Sequence, residues 1–150
     1  MTKKYQKAFT LIELLVVISI IATLAAVVFV ALDPAKRLKD ARDSRRWNDV
    51  NTLLTAMHQY IVDTGGSMPP GVTSTASQLG TCASGGATNC TGAGTACLDI
   101  GGTLVKYLKS VPVDPKGSAA STGYSVVKDT NNILTINACL SEGTTISVSR

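Results

Sequence analysis

From Phe9 to Leu32 the chain reads FTLIELLVVISIIATLAAVVFVAL, an apolar run of 24 residues whose single charge is Glu13. As a helix this run is about 36 Å long at roughly 1.5 Å per residue, enough to cross a hydrocarbon core of about 30 Å. The residues ahead of it, Met1–Ala8, are polar and basic, with Lys3, Lys4 and Lys7. Basic flanks stay on the cytoplasmic side of a membrane, which predicts Met1 inside and the bulk of the chain outside; the cations between Lys36 and Arg46 vote the other way. Asp33 and Pro34 end or kink the apolar helix, because Pro34 has no N–H to donate and its ring crowds the preceding turn. Beyond it the period changes. Trp47, Val50, Leu54, Met57 and Ile61 recur at three- and four-residue steps, with Leu53 and Tyr60 widening the stripe, and predict an amphipathic helix over 35–62. Asp63, Thr64, Gly65 and Gly66, followed by Pro69 and Pro70, stop it.

Gly65–Gly102 is dominated by Gly, Ser, Thr and Ala and holds three of the four cysteines, which predicts a long loop over 65–102 pinned by disulfides. Thr103–Ser110 reads as a short helix placing Leu104, Val105 and Leu108 on the core. Val111–Gly117, with two prolines, must be extended or turning. Tyr124–Val127, Ile133–Leu140 and Thr144–Ser149 are rich in β-branched residues and separated by DTNN and SEG, which predicts three antiparallel strands over 124–149. The expected fold class is α+β. A long kinked N-terminal helix, membrane-spanning in its first half, packs its second half on a small three-stranded antiparallel sheet, in a lollipop outline. The corresponding segments are a leader at 1–8, a membrane helix at 9–32 and an extracytoplasmic domain at 33–150.

Length and composition narrow this picture. The chain has 150 residues, room for about one domain, so a second catalytic domain is not expected. The net charge of +4 contains the three leader lysines; without them 11 basic and 10 acidic residues leave +1, so the high pI carries no message about nucleic acid. Cys82, Cys90, Cys97 and Cys139 are an even set in a chain targeted for export, which predicts two disulfides with three connectivities open. Their spacing contains no CxxC pair, which argues against zinc or a redox motif.

The join Lys7-Ala8-Phe9-Thr10-Leu11-Ile12-Glu13 resembles the processing site of type IV pilins and of the pseudopilins of type II secretion systems. The resemblance implies that a prepilin peptidase cuts between Ala8 and Phe9, where Ala8 stands in place of the family's usual Gly, and that the new amino group of Phe9 is methylated. It further implies an inner-membrane assembly platform that draws subunits into a filament of this chain and other pilins. Downstream, Tyr60, Asp63, Gly65 and Pro69 are similar to the end of the family's long helix. Leu108, Pro112, Asp114, Pro115, Gly117 and Tyr124 are similar to the stretch leading into the sheet of major pseudopilins. Glu13 also has a physical rationale. A charge at mid-bilayer costs about 2.5–3.5 kcal/mol on insertion scales, less near the end of the span. Pairing with the Phe9 amino group of a neighbouring subunit would neutralise both charges and set the axial register. An ordinary signal sequence cut after Ala26 or Ala31, or a permanent signal anchor, would be indifferent to Glu13.

Other chemistry is thinner. The resemblance to major pseudopilins extends to a calcium loop among the C-terminal strands, for which Asp129, Thr130, Asn131 and Asn132 offer oxygen ligands; the same residues are also a common turn composition. Calcium is therefore the one cofactor in question, and no other is expected. His58 stands alone on a helix, with no nucleophile beside it, and no triad suggests itself. Six basic residues between Lys36 and Arg46 could meet phosphates of lipid or DNA, against a solvated face with local pairs to Asp40 and Asp43. The expected function is a structural, non-enzymatic filament subunit, held in the inner membrane before assembly and extracytoplasmic or on the cell surface afterwards. The alternative is a membrane-anchored extracytoplasmic binding module, for example a DNA-binding competence pilin.

Overall fold

The computed structural model describes residues 9–150, so the leader at 1–8 lies outside the described residues. Two compact units are present, the first ending at Leu38 and the second running Lys39–Arg150. The apolar run forms helix α1, Leu11–Leu32. Thr10 is its N-cap, and every residue of α1 is exposed, so this apolar helix, long enough to cross a membrane, buries none of its residues within the chain. Asp33 interrupts the helix with a left-handed φ of 37°. It then starts helix α2, Pro34–Asp63, by accepting the Lys36 N–H on its side chain at 3.2 Å, and Pro34 takes the first helical position, where a missing N–H does no harm.

Within the second unit, α2 buries Val50, Leu53, Leu54, Ala56 and Met57 in one apolar core, with Tyr60 and Ile61 partly buried beside it. Trp47 departs from the expected stripe. It is 42% exposed, and the position one turn before Val50 on the buried face belongs to Arg46, which is fully buried. The sheet has four strands in the order β1-β2-β3-β4, all antiparallel: β1 Ser77–Gln78, β2 Tyr124–Lys128, β3 Leu134–Ala138 and β4 Ile146–Ser149. The three expected strands are β2 to β4. The fourth, β1, comes from the segment read as loop, and at two residues it is too short to show any alternation. It pairs Ser77 with Val126 and Gln78 with Ser125. Strand β3 alternates buried and half-buried residues along its length, and Leu134, Ile136 and Ala138 join Tyr124, Val126 and Ile146 in the core.

The segment 65–102 is better built than a pinned loop. Val72, Leu79 and Ile100 enter the core, and two single-turn helices, α3 Gly86–Asn89 and α4 Gly101–Leu104, interrupt it. Helix α4 begins two residues before the expected position and ends at Leu104; Leu104 is buried, Leu108 partly buried, and Val105 is 69% exposed rather than in the core. The disulfides are Cys82–Cys97 and Cys90–Cys139. The first closes a loop within the segment, and the second ties that loop to the end of β3. The two pairings cross in sequence, so their closed loops share residues 90–97.

Candidate functional site

At the head of α1, Thr10 and Glu13 form a reciprocal capping box. The Glu13 carboxylate oxygen Oε2 accepts the Thr10 backbone N–H at 2.8 Å and the Thr10 hydroxyl at 2.8 Å, while Thr10 Oγ1 accepts the Glu13 N–H at 3.2 Å. Spacing of three residues brings the two side chains onto one turn. Two otherwise orphaned donors at the helix start are satisfied in this way, and Glu13 Oε1 accepts no hydrogen bond among the described residues. The other polar groups of α1 are matched internally: the Ser19 hydroxyl donates to the Val16 carbonyl and the Thr23 hydroxyl to the Ile20 carbonyl, each at 2.8 Å. Glu13 is therefore the one ionisable side chain on an otherwise self-satisfied apolar helix. Phe9, one residue before the cap, is 84% exposed. Ala8, the other half of the expected cleavage site, lies outside the described residues.

A second cluster, which sequence reasoning missed, fixes the base of the Lys39–Arg150 unit. Arg46 grips Asp114 with a two-pronged contact, Nε to Oδ2 at 2.5 Å and Nη2 to Oδ1 at 2.9 Å, and both side chains are fully buried. Its remaining prong reaches Asp43 Oδ1 at 2.8 Å and Glu142 Oε2 at 3.3 Å. Glu142 also receives Arg42, at 2.5 Å and 3.0 Å, and the Lys116 ammonium. Asp43 closes the ring by accepting the backbone N–H groups of Glu142 and Gly143. The electrostatics follow from these contacts. The Asp114 hydrogen bonds hold the Arg46 guanidinium far above its ordinary range, and those from Arg42, then Lys116, hold the Glu142 carboxyl far below the usual one. Burial alone would raise the Asp43 carboxyl, but the hydrogen bonds from Arg46 and the two backbone N–H groups outweigh it and leave it lowered. One turn on, the Tyr124 hydroxyl donates to Asp49 at 2.6 Å, and burial, then that bond, pushes its pKa well up.

The cluster gives the downstream residues a physical role. Asp114 anchors the two-proline stretch to α2, Gly117 closes a turn by donating its N–H to the Asp114 carbonyl at 2.8 Å, and Tyr124 opens β2. Gly123 adopts φ +83°, and a Cβ there would lie 2.9 Å from the Asp114 Cβ, so the approach of β2 to Asp114 requires glycine. Arg42, Arg46 and Val50 fall on one helix face at four-residue steps, but Trp47 fits a three-residue step to Val50 equally well, so spacing alone does not reveal the cluster.

The remaining candidates are placed as follows. Asp129 Oδ1 accepts the Asn131 N–H at 2.8 Å and the Ile133 N–H at 2.7 Å, and Asn132 adopts a left-handed φ of 61°, so these residues build the turn between β2 and β3. His58 sits half-buried on α2 with Nε2 3.2 Å from the Arg150 backbone oxygen. Residues 3–29 match the family model described as the prokaryotic N-terminal methylation motif, which covers the junction at Phe9, the capping box and most of α1. No curated protein and no solved structure matches the chain.

Proposed function

We propose that this chain, which carries the type IV pilin/pseudopilin signature over residues 3–29, is a structural subunit that polymerises through α1 into an extracytoplasmic filament. The motif is that of a prepilin peptidase substrate, and with an apolar N-terminal helix it fits a membrane-anchored precursor. The observation that carries the filament reading is Glu13. A carboxylate on a lipid-facing helix is costly unless it has partners. Thr10 supplies two hydrogen bonds to Oε2 and leaves Oε1 for a cation. After cleavage at Phe9, the amino group of a neighbouring subunit is such a cation. In the assembled state the apolar faces of packed helices replace lipid, and assembly, not catalysis, is the chain's work.

The test is the yield of sheared filaments from cells producing Glu13→Gln, beside the amount of subunit retained in the membrane. The expected result is an inserted, processed subunit with filament yield reduced at least tenfold. Wild-type yield would contradict the pairing and favour a membrane-anchored binding module that does not polymerise.

A further inference from the structure

The six cations between Lys36 and Arg46 fall into two groups. Arg42, Arg45 and Arg46 are paired with carboxylates of the same unit, namely Glu142, Asp49, and Asp43 with Asp114. Lys36, Arg37 and Lys39, on the first two turns of α2, are exposed and form no ion pair among the described residues. Two acids lie nearby. Asp33 turns its side chain to the Lys36 backbone N–H as a helix cap, and Asp40 is exposed.

Depth along the helix gives these three cations an address. If α1 spans the membrane, as proposed above, its apolar run ends at Leu32 at the edge of the hydrocarbon core. Lys36, Arg37 and Lys39 follow four to seven residues later on the first two turns of α2, so beyond the break at Asp33 they lie within on the order of 10 Å of chain from the end of the run. The headgroup layer on each face is about 5–8 Å thick, the difference between a core of about 30 Å and a whole bilayer of about 40–45 Å. Long basic side chains bend back toward that layer while keeping their stems on apolar surface. Cations on the translocated side also oppose the orientation set by Lys3, Lys4 and Lys7, so a compensating anion at that depth offsets a real cost.

We propose that Lys36, Arg37 and Lys39 form a phosphate-binding collar for anionic phospholipid headgroups on the face of the membrane where α1 emerges. The collar holds the unpolymerised subunit at a fixed depth, and it must let go when the subunit is extracted. This inference rests on the spanning role of α1 and adds to it a lipid class and the residues that read it. Each cation near an anionic surface contributes about 1 kcal/mol, or about fivefold in preference, and Asp40 offsets part of the sum.

The experiment reconstitutes the full chain in vesicles of phosphatidylcholine with a minor share of phosphatidylglycerol. The phosphatidylglycerol co-purifying with the chain is then measured for wild type and for the combined Lys36→Gln, Arg37→Gln, Lys39→Gln variant. Glutamine is a good helix former, so α2 is kept. Alkaline carbonate extraction of the same samples reports insertion. The expected result is equal insertion and a phosphatidylglycerol enrichment that falls at least fivefold in the variant and falls with added salt in the wild type. Equal insertion with unchanged enrichment overturns the collar, and so does a variant that keeps its lipid preference but no longer self-associates, which would assign these cations to a second copy. A wild-type chain released by carbonate overturns the spanning reading itself.

Discussion

Removing Asp114 should unlock the Lys39–Arg150 unit through Arg46. The guanidinium is fully buried and its two-pronged contact with Asp114, at 2.5 Å and 2.9 Å, is the largest part of its compensation. Breaking a buried pair from one side costs about 3–5 kcal/mol, because the surviving charge is left without its partner. Arg46 keeps Asp43 at 2.8 Å and Glu142 at 3.3 Å, which places Asp114→Ala at the lower end, about 3 kcal/mol. Against a total stability of about 5–15 kcal/mol for a small domain, that is a large share. Arg46→Met should cost a similar amount by leaving the Asp114 carboxylate buried with the Lys116 backbone N–H at 2.8 Å as its remaining close donor. The double variant Arg46→Met, Asp114→Ala removes both charges and should cost less than the sum of the singles by at least about 2 kcal/mol. Urea unfolding of the full chain in detergent, followed by the fluorescence of Trp47, the single tryptophan and the neighbour of Arg46, gives all three numbers. Single-variant losses below about 1 kcal/mol that simply add would refute the claim that this pair organises the unit.

The same cluster predicts acid sensitivity. The Glu142 and Asp43 carboxyls are held below their unfolded values, so the stability they contribute is fully present above the ordinary carboxylate range and is lost as pH falls below about 4 toward their folded values. The melting temperature should drop between neutral pH and about pH 3, and Glu142→Gln should flatten that drop; an equal slope in the variant would contradict it. The disulfides should differ in weight. Loop entropy assigns about 3 kcal/mol to Cys82–Cys97, separated by 15 residues, and about 4 kcal/mol to Cys90–Cys139, separated by 49. Paired Cys→Ala variants compared by urea midpoint should therefore rank the second as the larger loss, and the reverse order would count against the loop-entropy account.

The parts of this fold legible in the sequence were those written as periodicity. The apolar run to Leu32, the break at Asp33-Pro34, the stripe through Val50, Leu54 and Met57 and the strands β2 to β4 all follow from spacing, and the methylation motif follows from Phe9 and Glu13. What escaped was written in pairs of residues far apart in the chain. Arg46 and Asp114 are 68 residues apart, and nothing local distinguishes a buried arginine from its solvated neighbours Arg37 and Lys39. The same blindness put Trp47 on the buried face, because a tryptophan and an arginine next to each other both satisfy a helical step to Val50, and only the partner across the core decides between them. Strand β1 was hidden because two residues hydrogen-bonded to β2 need no pattern of their own. The pairing of Cys90 with Cys139 likewise depends on where β3 ends, which cysteine spacing does not encode.

The central claim is most directly tested by peptide mass spectrometry of the N-terminus of the protein recovered from a sheared filament fraction. A chain that begins at Phe9 with one added methyl group on its amino terminus is the predicted result, since cleavage at that bond would create the amine that the proposed pairing with Glu13 requires. A chain retaining Met1–Ala8, or one beginning near Leu32, would contradict the account, because neither leaves both a free Phe9 amine and an intact α1 from which to build a filament.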